Sequence, residues 1–283
     1  MVAVVSDTNR TPVVSGIKQM TGANRITGAA QIPGLSGAII AAGRGERLRA
    51  ASHGIPKPLV ELDGEALLVR QARAIAALGA RPVHVIVNSE TARMIHDRGL
   101  VIPPEMNLCV RDTANSMESL LTLGEHIAPG RFLMTTVDAI ISPTEFRRFA
   151  LRALALTDPD LTNPDLTNPV GQNALDGALG VAKWRGDRHP LFAEVALDGT
   201  ICALSDRESQ LVTAGVYLFS TRIFSFGDEA RAAGLDAMRR YLALLIAKGM
   251  RFAPMELTDV IDVDEAADLD AARALVATQG GRS

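Results

Sequence analysis

From Gly37 onward the chain alternates short apolar runs with amphipathic segments, and no other feature restricts its folds more. The run Ala38-Ile39-Ile40-Ala41-Ala42 has strand length and no polar position, which suits a strand covered on both faces. Val83-His84-Val85-Ile86-Val87 and Phe132-Leu133-Met134-Thr135-Thr136-Val137 repeat the pattern. Between the first two runs, residues 65–78 carry Leu67, Leu68, Ala72, Ile75 and Ala76 at helical spacing and close on Gly79. Helices near 90–97 and 116–126 and a strand near 107–110 continue the alternation. Such an order implies a mostly parallel, Rossmann-like α/β sheet with helices on both faces.

The second half reads differently. Residues 159–168 repeat Pro-Asp-Leu-Thr-Asn once, inside a loop insertion spanning 157–173. Two short copies cannot build a solenoid, so a surface loop lengthened by duplication is expected. Strands follow near 178–184, 192–197, 200–204 and 212–219, and Asp198-Gly199 marks a hairpin. A long helix over 228–248, a strand near 251–256 and a helix over 265–277 complete the pattern. These elements make a β-rich insertion in one domain spanning 35–283, preceded by a flexible extension over 1–34.

Composition narrows the function. At 47% apolar residues the chain can bury a large core, and a net charge of −3 with no basic stripe excludes duplex nucleic acid and anionic membrane as expected partners. No apolar run approaches the ~20 residues of a membrane helix, and the N-terminus has no signal-peptide pattern. Cys109 and Cys202 stand far apart, which fits neither a disulfide scaffold nor a zinc site and makes a reducing cytoplasm the expected compartment. A homo-oligomer remains open.

The first strand ends in Ala41-Ala42-Gly43-Arg44-Gly45-Glu46-Arg47-Leu48, followed by Pro56-Lys57-Pro58-Leu59-Val60 and Gly64. Glycines let backbone N–H groups approach a phosphate chain, and the basic residues neutralise it. A dinucleotide fingerprint would need Gly where Leu48 stands, and a P-loop would need Gly-Lys-Ser/Thr, which is absent. The full arrangement resembles the N-terminal signature of the nucleotidyltransferase superfamily, which includes sugar-1-phosphate nucleotidyltransferases and small-alcohol-phosphate cytidylyltransferases. The resemblance implies a nucleotide-diphospho-sugar transferase-like fold. It also implies that the segment Ala41, Ala42, Gly43, Arg44, Gly45 and Glu46 holds base and phosphates, with Arg47 and Lys57 as the catalytic cations.

Asp138 closes the 132–137 strand, where open α/β sheets bind ligands. Magnesium prefers a few hard carboxylates plus phosphate oxygens. Asp262 and Asp264 supply further carboxylates on one face of an extended segment. Asp262-Val263-Asp264-Glu265-Ala266-Ala267-Asp268-Leu269 is similar to the superfamily's D-x-D/N-T-P-E-D-L pattern, without its Thr-Pro. Val137 stands where relatives place Gly before the site aspartate.

Thr113, Asn115, Ser116 and Ser119 cluster at a helix start, where short polar groups and open backbone N–H groups suit a pyrimidine edge and equally suit plain capping. Asn115 to Leu120 resembles the N-x-x-S-L element of phosphocholine and inositol-1-phosphate cytidylyltransferases. Ala214-Gly215-Val216-Tyr217 is similar to the strand that follows the superfamily's acceptor pocket, and Arg207, Lys183 and Arg188 are candidate acceptor-phosphate ligands. Trp184 is a candidate wall for that pocket.

The expected activity is Mg²⁺-dependent transfer of NMP, with CTP as the lead donor, to a small phosphorylated acceptor such as inositol-1-phosphate. A UTP- or GTP-dependent sugar-1-phosphate nucleotidyltransferase is the nearest alternative. A nucleotide-binding regulatory protein without turnover is a second. A glycosyltransferase of similar fold would need an Asp-x-Asp motif where this chain reads Val137-Asp138-Ala139-Ile140.

Overall fold

The structure, a computed structural model, describes residues 32, 34–43, 45–52, 54–157, 175–186 and 190–280. Both copies of the Pro-Asp-Leu-Thr-Asn repeat and nearly all of the 1–34 extension lie outside the described residues. The first half runs β1 (Leu35–Ala41), α1 (Glu46–Ala51), a hairpin of β2 (Glu61–Leu62) and β3 (Glu65–Ala66), α2 (Leu67–Ala77), β4 (Val83–Val87), α3 (Ser89–Asp97), β5 (Met106–Val110), α4 (Ser116–Gly124) and β6 (Arg131–Thr136). The second half runs β7 (Ala139–Ile141), α5 (Pro143–Thr157), β8 (Gly177–Lys183), β9 (Phe192–Val195), β10 (Ile201–Ser205), β11 (Leu211–Ser220), α6 (Gly227–Ala232), α7 (Met238–Ala247), β12 (Phe252–Glu256), β13 (Val260–Asp262) and α8 (Ala266–Gly280).

The α/β architecture is the expected one. β5, β4, β1 and β6 lie side by side and parallel, with Ile39 opposite both Val85 and Thr135. All seven residues of β1 are buried, and the strand's period of two divides them between two layers. Leu35, Ile39 and Ala41 join α2 and α5 in one core, whereas Ala38 and Ile40 join α4 and α7 in the other. Gly37 stands where α2 presses against the sheet, since a Cβ there would lie 2.4 Å from Ile75. β11 then runs antiparallel to β6 on one side and to β8 on the other, and β12 extends the sheet parallel to β8. β9 and β10 form the hairpin that Asp198-Gly199 announced, with Gly199 at a φ of +81°.

One expectation changes, and one element is additional to those read from the sequence. The helix over 228–248 is two helices, α6 and α7, because Gly234 turns left-handed at a φ of +68° and closes α6 by donating to Arg231 O. The apolar pattern runs through the break, which is why periodicity alone missed it. α5 was not anticipated, although Phe146, Phe149, Ala150, Ala153 and Leu154 present an apolar stripe at helical spacing. No described helix is long and apolar enough to cross a membrane.

Phe132 anchors the layer that holds α4 and α7, with its ring 5.6 Å from Phe219 and 5.4 Å from Phe224. Phe132→Ala should cost about 3–5 kcal/mol, the range for truncating a buried aromatic, in urea unfolding. A loss under about 1 kcal/mol would show that this aromatic cluster collapses freely around the gap.

Candidate active site

The C-terminal ends of the four parallel strands share one edge of the sheet, and the chain's most unusual charges gather there. β6 ends at Thr136, the chain turns through Val137 and Asp138, and β7 begins at Ala139. β7 pairs antiparallel with β13, which sets Asp262 opposite Ala139. The Val263 N–H donates to Asp138 O at 3.0 Å, which carries the ladder one step further. Val263 is fully buried, so Asp262 and Asp264 fall on the opposite side, as alternation requires. Oxygen atoms of Asp138, Asp262 and Asp264 all lie within 4.8 Å of one another.

Lys57 reaches this cluster from the other side. It opens a 3-10 turn over Lys57–Leu59, with Pro56 and Pro58 restricting the backbone on either side. The residue is only 7% exposed. Its Nζ donates to Asp138 Oδ2 at 2.8 Å and to Asp264 Oδ1 at 2.7 Å. Burial pulls the ammonium's pKa down, but Asp138 and Asp264 outweigh it and hold the group above the ordinary lysine value. Three carboxylates outnumber the lysine among them, and a hard divalent cation is the chemical complement of that excess. The donor set therefore fits such an ion.

The glycine loop is built onto this lysine. Gly45 has a φ of +56°, and a Cβ on it would lie 2.8 Å from Lys57 Cβ, so both conformation and space demand glycine. Ala41 and Ala42 are buried, Gly43 is exposed, and Glu46 and Arg47 begin α1. Arg44 lies outside the described residues. Asn88, which sequence reasoning missed, caps α3 through Oδ1 and donates from Nδ2 to Ala42 O at 3.1 Å. Its place just after β4 was the available signal. Arg49 grips Glu90 through two hydrogen bonds, at 2.9 and 2.6 Å, and ties α1 to α3.

The expected base element borders the same edge, with part of its polarity already engaged. Asn115 Oδ1 accepts from Glu118 N at 2.9 Å and so caps α4. Ser116 Oγ accepts from Met238 N at 2.9 Å, which joins the starts of α4 and α7. Thr113 and Ser119 share a hydroxyl hydrogen bond of 2.7 Å. Asp112 accepts from the backbone and hydroxyl of Ser89, and those bonds hold its carboxyl below the usual range.

Among the described residues, no hydrogen bond or ion pair joins the acceptor candidates to one another. Lys183 is exposed and 3.8 Å from Glu256, Arg207 is exposed in the turn after β10, and Arg188 lies outside the described residues. Trp184 is partly exposed with its ring edge-on to Phe192 at 5.5 Å. Closer to the carboxylates stands Tyr217. Burial first, then the Asp262 and Asp138 charges, push its phenol up against the opposing pull of Thr213 and Arg239. Gly215, at a φ of +68°, lets β11 pass this point, since a Cβ there would lie 2.6 Å from Thr136 Oγ1 and 2.9 Å from Ala139 Cβ.

Comparison with known proteins agrees with this fold. A family model of the MobA-like NTP transferase domain matches residues 37–214. The inositol-1-phosphate CTP transferase of T. maritima superposes with a TM-score of 0.65 at 16% identity, covering 88% of this chain and 96% of that one. A candidate glucose-1-phosphate thymidylyltransferase from Bacillus anthracis gives 0.65 at 16% identity, over 85% of this chain and 94% of that one. The CTP:phosphocholine cytidylyltransferase of Streptococcus pneumoniae gives 0.59 at 18% identity, over 85% and 98%. No curated protein sequence matches significantly.

Asp138 and Asp262 sit at strand ends rather than in the core, so both variants should still fold, with Asp138→Ala the less stable because it takes one partner from the buried Lys57 ammonium. Asp138→Ala and Asp262→Ala should each lower metal-dependent turnover by at least about a hundredfold, the scale of removing one key electrostatic stabiliser. Near-normal turnover in a purified, folded variant would remove that residue from the site.

Proposed function

The chain belongs to the MobA-like NTP transferase domain family, and from that premise we propose that it transfers CMP from CTP to the phosphate of a small polyol such as inositol-1-phosphate, releasing pyrophosphate. The observation that carries the reading is Lys57, buried between Asp138 and Asp264 beside the glycine loop. An acceptor phosphate oxygen attacks the α-phosphorus in line, and the bond to the bridging oxygen of the leaving pyrophosphate breaks. A phosphate dianion is already nucleophilic, so no side-chain nucleophile or general base is needed. The task left to the protein is positioning and charge stabilisation.

Each residue then has a physical role. Backbone N–H groups of the 41–46 loop cradle the triphosphate. Lys57, held protonated by its carboxylates, faces charge developing on the α-phosphate, and Arg47 is the second cation. Asp138, Asp262 and Asp264 would hold Mg²⁺, which when bound neutralises phosphate charge. Asn115 Nδ2, the Thr113–Ser119 hydroxyl pair and nearby backbone read the base. Ser116 supports that reading indirectly, because its hydroxyl fixes the start of α7. Arg207, Lys183 and Arg188 remain the candidates for the acceptor phosphate.

Pyrophosphate release, measured with each NTP against a panel of acceptor phosphates, tests the assignment. Cytosine and uracil exchange donor and acceptor positions, so the wrong base leaves buried groups unpaired at roughly 1–3 kcal/mol each. CTP should exceed UTP by at least about tenfold in kcat/KM. If UTP or GTP is the best donor, a sugar-1-phosphate nucleotidyltransferase replaces the cytidylyl reading. Lys57→Ala should lose most turnover with every donor, and an unchanged rate would reject the role given to the lysine.

A further inference from the structure

Gln71 interrupts the apolar face of α2. Its neighbours Leu67, Leu68, Ala72 and Ile75 are fully buried, and Gln71 itself is 2% exposed. A buried amide is costly unless it is hydrogen-bonded. Here Nε2 donates to Ala139 O. Ala139 follows Asp138 directly and faces Asp262 across the β7–β13 ladder. One side chain from α2 therefore grips the backbone lying between two carboxylates of the site.

The rest of the turn's support explains why that grip is needed. On the N-terminal side, Val137 N donates to Ile40 O at 3.2 Å. Asp138 O accepts from Val263 N, which links the turn to Asp264. β7 belongs to a two-stranded sheet with β13 and is not paired with the main sheet. Gly215 closes the side facing β11, where a Cβ would lie 2.9 Å from Ala139 Cβ. Among the described residues, the Gln71 amide hydrogen-bonds this short strand to the helical layer.

We propose that Gln71 is a positioning residue for the divalent-metal carboxylates. By holding Ala139 O it sets the spacing of Asp138 against Asp262 and Asp264. The inference rests on the reading of those carboxylates as the metal cage. Ligand-supporting hydrogen bonds of this kind are typically worth 10- to 100-fold in metal affinity or activity.

The test is Mn²⁺ binding to the full-length protein without nucleotide, followed as loss of the free Mn²⁺ electron paramagnetic resonance signal, with a melting curve for each variant. Gln71→Met keeps length and burial but loses the donor. Gln71→His returns a ring Nε2–H at about the same reach. Gln71→Met should weaken Mn²⁺ binding by about tenfold or more and lower kcat, with or without a change in Tm. Gln71→His should recover most of the affinity. Mn²⁺ affinity in Gln71→Met within about twofold of wild type overturns the inference, even if Tm falls. So does a folded Gln71→His that binds as weakly as a folded Gln71→Met. If Gln71→Met does not fold, Gln71→His decides alone: affinity within about threefold of wild type supports the role, and a larger loss overturns it. Wild-type protein that binds no Mn²⁺, or an Asp138→Ala variant that binds it as tightly as wild type, instead overturns the metal-cage reading beneath it.

Discussion

The candidate site depends most on a buried lysine ammonium held between two carboxylates. Lys57, Asp138 and Asp264 come from segments 81 and 207 positions apart, and they meet within hydrogen-bond distance at the C-terminal edge of the sheet. Desolvating an ammonium is expensive, and a buried ion pair seldom stabilises a fold more than apolar packing would. Its retention is better explained by function. The same charges that allow Lys57 to be buried keep it protonated, as its proposed role toward a phosphate requires. They also leave a carboxylate excess suited to a divalent ion.

Much of the second half of the chain serves to hold that cluster. The β7–β13 ladder has only three residue pairs, too few to stand alone, so it is braced from several directions. Ser142 N donates to Asp259 O at 3.1 Å, and buried Glu145 accepts from Thr258 N at 2.9 Å. Burial pushes the Glu145 carboxyl up, but the Thr258 and Arg148 hydrogen bonds outweigh it and hold the group below its usual value. Gly215 lets β11 pass close to the turn, and Gln71 fastens it to α2. The β-rich half is thus a frame for two aspartates that arrive near the end of the chain.

The residues proposed for the base and those proposed for the acceptor differ in how far the fold engages their side chains. At the start of α4, Asn115 and Ser116 spend their side-chain oxygens on helix ends, so the same residues that look like base readers also orient two helices. The basic acceptor candidates show no such commitment, since Lys183 and Arg207 are exposed on different strand ends.

The sequence by itself determined the parallel half of the fold, because five-residue apolar runs separated by amphipathic helices admit few other arrangements. It also determined the glycine loop, Lys57 and the aspartates as candidates, because phosphate and metal chemistry call for those residue types at strand ends. It could not reveal the break at Gly234, where a local left-handed turn outweighs an apolar pattern that continues across it. Nor could it reveal Gln71 or Asn88, since a lone polar residue has no periodicity and its meaning lies in the carbonyl it reaches. The sequence grouped Asp262 and Asp264 with Asp138 through metal chemistry and the resemblance, but only tertiary structure showed the β7–β13 ladder that brings them together, because a three-pair ladder leaves almost no trace in local sequence. Local propensity reads neighbours along the chain, whereas the charge cluster is made by contacts between segments far apart in it.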